Sequence, residues 1–292
     1  MGVGGERIPD ESAQGVGDLV VGIDGSPASA AALRWALEHV DPDGRVHATQ
    51  VVGPGEAALA EGWIAETIAA ASSSRVDAVI RSGSVTDELL RLADEVAADA
   101  VVVGHHSQPR HGPQLVGHVT AKLLHGAARP VIVVPRDWDP VRTGGRPVAV
   151  GVGVSRGTEA ALRWVLNHPG LVRQGLLLVH AYGPRSLFRA DGWLDVLAYH
   201  LDPQVLPSWV EADLLALAEE LQAEAGTDVE VEVAVQPGRT GAQLVEAGAS
   251  AGLLVVGRGE PAFIRSRTIA PYLRHAIAHA PCPVVVVPAP DD

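Results

Sequence analysis

Gly22 to Trp35 reads GIDGSPASAAALRW, and Gly151 to Trp164 reads GVGVSRGTEAALRW. The two stretches stand in register at an offset of 129 residues and close on the same Ala-Ala-Leu-Arg-Trp. A second match lies further on: PVIVVP at Pro130–Pro135 recurs as PVVVVP at Pro283–Pro288, at an offset of 153. One fold unit is therefore written twice. The extra 24 residues fall inside the second copy, mostly at about 183–210. That stretch carries Pro184, Pro203 and Pro207 with Trp193, Tyr199 and Trp209. Such an aromatic load is foreign to disordered chain, so an ordered loop or short helix is expected there.

Outward from the repeated start, Leu19 to Ile23 reads as a buried strand, and Ser26-Pro27 as an N-cap followed by proline in the first turn. The helix from Ala28 to Val40 puts Leu33, Trp35 and Ala36 on its apolar side. Strands follow at Val46–Val52, Val76–Ile80, Ala100–Val103 and Val131–Val134, with helices expected over 56–74, 86–98 and 119–128 between them. Continuous β-branched runs alternating with helices mean a parallel sheet covered on both faces. The reading divides the chain into a disordered leader (1–17), a first domain (18–136), a linker (137–146) and a second domain (147–290).

Hydrophobic residues make up 47% of the 292 residues and charged ones 20%, as in folded globular chains. A formal net charge of −13 argues against nucleic-acid or anionic-membrane binding, which need clustered lysine and arginine. The single cysteine, Cys282, excludes an internal disulfide framework and fits a reducing cytoplasm. Between two prolines at a strand start it reads as a packed, inert thiol. No apolar run approaches the ~18 residues of a spanning helix. No signal peptide is read in the first residues, and a cytoplasmic location is expected.

With the Asp-Gly-Ser helix start carrying LRWAL, the Val101-Val102-Val103-Gly104 strand end and the PVxVVP terminal strand, each twice in order, the chain resembles the universal stress protein family in its tandem form. The resemblance spans Leu19 to Pro288. It implies two five-stranded parallel sheets of order 3-2-1-4-5 with helices on both faces. It also implies antiparallel pairing of the fifth strands, here within one chain, which would cover apolar edges that are otherwise a liability. A homodimer and protein partners of unknown identity are candidate assemblies.

Many members of that family bind ATP through Gly-two residues-Gly-nine residues-Gly-(Ser/Thr). Glycines allow close backbone approach, and helix N-terminal amides and a hydroxyl take the phosphates. Carried over residue by residue, the motif positions of the first copy are Gly104, Ser107, Gly117 and His118. Serine replaces the second glycine and histidine the hydroxyl residue. Asp24 takes the ribose place and Val51 flanks the adenine, with Gly22, Ile23, His105 and Val119 as further liners. ATP is thus a candidate ligand of the first copy alone, with Mg²⁺ as a candidate companion. In the second copy Gly257 stands, but Glu260, Ala270 and Pro271 fill the other motif positions, and Gly153 replaces the aspartate. A carboxylate facing phosphate repels it. Arg258, Arg265 and Arg267 of that loop could serve another anion or simply be solvated.

The histidines His105, His106, His111, His118 and His125 lack the paired spacing of a metal site, and no metal is expected. No P-loop, GxSxG elbow or acid–base pair is present, so no catalytic residue is named. The expectation is a stress-type protein acting by binding and interaction rather than turnover, slow ATP hydrolysis being the enzymatic variant. The alternative is a nucleotide-free interaction module that uses the 183–210 insert.

Overall fold

The computed structural model describes residues 15–53, 74–105, 116–153, 156–182, 205–259 and 269–289. In the first repeat the strands are β1 (Leu19–Gly22), β2 (Val46–Val52), β3 (Val76–Ser82), β4 (Ala100–His105) and β5 (Val131–Pro135). Its helices are α1 (Pro27–His39), α2 (Val85–Glu95) and α3 (His118–Gly126), and a short α4 (Pro140–Thr143) follows in the connecting segment. In the second repeat the strands are β6 (Val148–Gly151), β7 (Leu176–Tyr182), β8 (Val231–Pro237), β9 (Leu253–Gly257) and β10 (Val284–Val287). The helices there are α5 (Arg156–Leu166), α6 (Val205–Ala225), α7 (Thr240–Ser250) and α8 (Pro271–His279).

All ten strands join one sheet in the order β3-β2-β1-β4-β5-β10-β9-β6-β7-β8. Each half has the expected order 3-2-1-4-5 and is parallel throughout. The halves meet at an antiparallel seam in which Val131, Ile132 and Val133 pair with Val286, Val285 and Val284. Each apolar fifth strand thereby covers the other's edge. Side chains alternate across the seam: Ile132 and Val285 join the core under α1, α5 and α6, while Val131, Val133, Val284 and Val286 join the core under α2, α3, α7 and α8. Both cores run through both repeats.

The first helix starts as its sequence dictates. Ser26 Oγ accepts from the Ser29 amide at 3.1 Å, with Pro27 in the first turn. Trp35 is buried in the core, as expected of a helix-face residue.

Three features differ from the sequence expectation or add to it. The leader does not extend to Gly17. Val16 is fully buried, its amide donates to the His39 carbonyl at 2.7 Å, and its carbonyl accepts from Asp41 at 2.8 Å. An apolar side chain next to the first strand gains more from burial than from water, so order begins before Asp18. Residues 1–14, the 56–74 helix and the 183–204 part of the insert lie outside the described residues. The rest of that insert, 205–210, is the start of the 21-residue α6. The linker is packed rather than loose: Trp138 is buried and donates its indole N–H to Thr143 Oγ1 at 3.1 Å, while Asp139 caps α4 through the Val141 amide at 3.0 Å.

Candidate functional site

The parallel order reverses between β1 and β4, and the carboxyl ends of these strands open the crevice where ligands bind in such sheets. Register places Gly22 beside Thr49 of β2 and Val21 beside Val102 of β4. Ile23 continues the ladder through its amide to the Thr49 carbonyl at 2.8 Å and is buried. Asp24 stands exposed beyond it. Its Oδ1 accepts from the Ser26 amide at 2.9 Å, and its own amide donates to Ser29 Oγ at 3.4 Å. The aspartate therefore shapes the turn into α1 while standing at the rim. Half-buried Val51 lies two residues past Thr49 on the neighbouring strand.

Gly104 is the last residue but one of β4, beneath α1. A Cβ there would lie 2.3 Å from the Ala28 carbonyl carbon and oxygen and 2.7 Å from the Ser29 amide. Only glycine lets the helix start sit this close to β4. His105 is buried and lines a cavity between the repeats. Gly117 is the N-cap of α3, with no side-chain cap and φ −55°. A Cβ on it would meet nothing nearer than Thr120 Oγ1 at 3.9 Å. His118, the first residue of α3, is exposed, and Val119 is half-buried. The structure thus sets Gly22, Ile23, Asp24, Val51 and Gly104 at or just past the carboxyl ends of the adjacent strands β1, β2 and β4, with Gly117 capping α3 and His118 and Val119 opening it. Ser107, His106 and His111 lie outside the described residues. Among the described residues no group of three or more histidine, cysteine or acidic side chains converges as a metal site would require.

The same place in the second repeat is closed differently. Gly153 carries no carboxylate, and Thr158 Oγ1 both accepts from its amide at 2.8 Å and donates to its carbonyl at 2.7 Å. Tyr272 stands where the first repeat has Val119. Its hydroxyl lies 3.4 Å from the Gly257 carbonyl and 3.2 Å from where a Cβ of Gly259 would be. Burial pushes the Tyr272 hydroxyl's pKa up, against a hydrogen bond to Gly259. His180 donates from Nδ1 to the Val152 carbonyl at 3.1 Å, and burial holds its pKa below the usual histidine range. Glu260, Arg265 and Arg267 lie outside the described residues.

Arg258 is not spare for an anion. Its guanidinium donates to the carbonyls of Ala127 (2.9 Å) and Leu124 (3.0 Å), with His125 at 3.4 Å, at the end of α3 in the other repeat. Sequence reasoning missed this partner because it arises only when the fifth strands pair. Cys282 is buried, its thiol pushed up to about 12 by burial, which makes it a packing residue. Among the described residues no helix is long and apolar enough to cross a membrane.

Comparison with known proteins agrees with this duplicated architecture. The universal stress protein family matches twice, over residues 16–135 and 145–288. A universal stress protein of Mycolicibacterium smegmatis is 27% identical over 268 residues, covering 82% of this chain and 86% of its own. One from Mycobacterium tuberculosis is 25% identical over 313 residues, covering 94% and 96%. Among solved structures, a universal stress protein from Archaeoglobus fulgidus superposes with a TM-score of 0.61 at 16% identity, covering 96% of this chain and 100% of that one. A protein of unknown function from Pseudomonas aeruginosa gives 0.63 at 14%, covering 96% and 95%. At such identities the likeness of structure concerns the fold. With both halves matched across most of its length, the chain belongs to the universal stress protein family, as a tandem of two family domains.

Proposed function

We propose that the first repeat binds an adenine nucleotide, ATP with Mg²⁺ as its companion, and that the protein acts by binding and partner interaction rather than turnover. The observation that carries this reading is the start of α3. Gly117 needs neither a positive φ nor a close packing contact, yet it leaves the N-cap without a side chain and with open space above it. Unpartnered amides at the positive end of a helix favour phosphate, and this helix follows β4, the strand that pairs with β1 just before Asp24. The second repeat serves the fold: its equivalent positions are Gly153, Ala270 and Pro271, and Tyr272 lies across its strand end. A cytoplasmic location belongs to the same proposal. Pairing of β5 with β10 occupies the fifth-strand edges within the chain, so a homodimer would use another surface.

Isothermal titration calorimetry of the full chain with ATP, ADP and AMP in the presence of Mg²⁺ tests it. Saturable heat is expected with at least one nucleotide. It should weaken about tenfold in Asp24→Ala and in Gly117→Val, the loss of one charged hydrogen-bonding partner or of phosphate room. Absence of heat at millimolar nucleotide overturns the reading.

A second reading rests on Trp209, which is 56% exposed on α6 where the insert ends. Exposed tryptophan suits a protein interface. Trp209→Ser should then abolish partner capture without changing the thermal midpoint.

A further inference from the structure

The helix α8 carries His275 and His279 four residues apart. That spacing sets both side chains on one face of the helix, a turn apart. Both are exposed, and their rings lie with centroids 4.4 Å apart and planes inclined at 42°. The pair belongs to the second repeat alone. At the 153-residue offset of the fifth strands, the matching residues of α3 are Lys122 and Gly126.

The neighbouring helix makes room for the first ring. A Cβ on Gly241, in the first turn of α7, would stand 2.9 Å from His275 Cβ and 3.1 Å from its ring Cδ2. The first repeat has Thr86 at this place, three residues before Leu89, as Gly241 stands three before Leu244. The two leucines mark matching positions, for they lie against Gly22 and Gly151 at the ends of β1 and β6. So close a crossing restricts the His275 side chain, and a ring already held loses less freedom when it takes a ligand.

Imidazole nitrogen binds transition metals at about 2.0–2.1 Å, with the ring centre about 1.1 Å further back. Two imidazoles on neighbouring positions of one ion, about 90–110° apart, therefore have centroids about 4.5–5.2 Å apart. His275 and His279 stand within a few tenths of an ångström of that spacing. His279 is the last residue of α8, where the helix dipole is negative and favours a cation.

We propose that His275 and His279 form a two-imidazole surface site for a divalent transition metal ion of the Ni²⁺, Cu²⁺ and Zn²⁺ class. Among the described residues no third histidine, cysteine or acidic side chain joins them, so water completes the coordination. Mg²⁺ prefers oxygen ligands and does not compete. The site lies on another helix than the phosphate glycine Gly117 and stands whether or not a nucleotide binds.

Calorimetry of the full chain with Ni²⁺ at pH 7.5 is expected to show saturable binding that excess Mg²⁺ does not displace. The ion should also raise the thermal midpoint. His275→Gln and His279→Gln change exposed side chains, and each should weaken Ni²⁺ binding about tenfold or more. His125→Gln removes an exposed histidine of α3 that has no histidine a turn away, and it should leave binding unchanged. No saturable heat up to about 1 mM Ni²⁺ overturns the proposal. So does binding undiminished in both pair variants, or weakened as much by His125→Gln as by them.

Discussion

Gly104 and Gly257 occupy one position in the two repeats; Gly117 and Ala270 occupy another. The first pair is the same residue in both copies and the second is not, and packing explains the difference. A Cβ on Gly257 would lie 1.9 Å from the Gly157 carbonyl oxygen, just as one on Gly104 would lie 2.3 Å from that of Ala28. In both repeats the helix after the first strand starts directly on the end of the fourth. A glycine that a repeat needs for this contact says nothing about phosphate. The glycine with no such contact, Gly117, does.

The sharpest break of this comparison is Gly104→Ala beside Gly257→Ala. Each forces main chain apart from main chain, which has no flexible side-chain end to yield, so each should cost about 3 kcal/mol or more. Urea midpoints measured on the two variants should fall by similar amounts, although only one repeat is read as a nucleotide site. A Gly104→Ala protein with full stability and lost ATP binding would return that residue to the ligand.

Arg258 tests the seam. Removing its guanidinium in Arg258→Ala strips charged donors from the end of α3, at a cost of about 2 kcal/mol. Amide exchange should speed up in α3, across the seam from the substitution, more than in α8 on the same repeat. Equal exchange in both helices would mean that Arg258 does not bind the repeats together.

Gly117→Ala is the counterpart with a small effect. Its Cβ would enter open space, and the remaining cost is that alanine is a poorer N-cap than glycine, so stability should fall by about 0.5–1 kcal/mol. A loss as large as that of Gly104→Ala would show that packing also fills this place, and the case for phosphate room would fail.

Much of this was legible in the sequence because duplication doubles each signal. The strand at 46–52 and, to within one residue, the strand at 131–135 follow from apolar runs, while the fifth-strand pairing is what the family resemblance implies. Local chemistry carried less. Gly104 reads in sequence as a phosphate glycine because strand pattern cannot show how closely a helix will cross. Arg258 reads as loop charge because its acceptors are over a hundred residues away and meet it only across the seam. Val16 and Trp138 were overlooked for a related reason: single apolar residues in polar, glycine-bearing stretches carry no periodicity, and burial alone reveals them. Of the motif, Ser107 lies outside the described residues, so the phosphate loop itself still rests on its sequence.

The smallest contrast concerns two histidines in matching positions. His39 stacks on Trp35 with ring centroids 4.4 Å apart and a 10° interplanar angle, and donates from Nδ1 to the Trp35 carbonyl at 2.8 Å. His168 repeats the arrangement on Trp164, at 4.5 Å and 40°, with Nδ1 2.6 Å from the carbonyl. Among the described residues His39 also meets the connecting segment, through Trp138 at 6.1 Å, and no such contact is made by His168. Burial lowers the pKa of His39, opposed by its bond to the Trp35 carbonyl. A histidine whose folded pKa is depressed binds its proton better when unfolded. Its penalty is absent well above the unfolded value of about 6.5, and stability is lost as pH falls from there toward the folded value. His39→Phe keeps the stack and cannot titrate. Between pH 7.5 and about 5.5, its thermal midpoint should therefore decline less steeply than that of the parent chain. Parallel curves for the two proteins would remove His39 from the acid response and leave the slope to other buried groups such as His180.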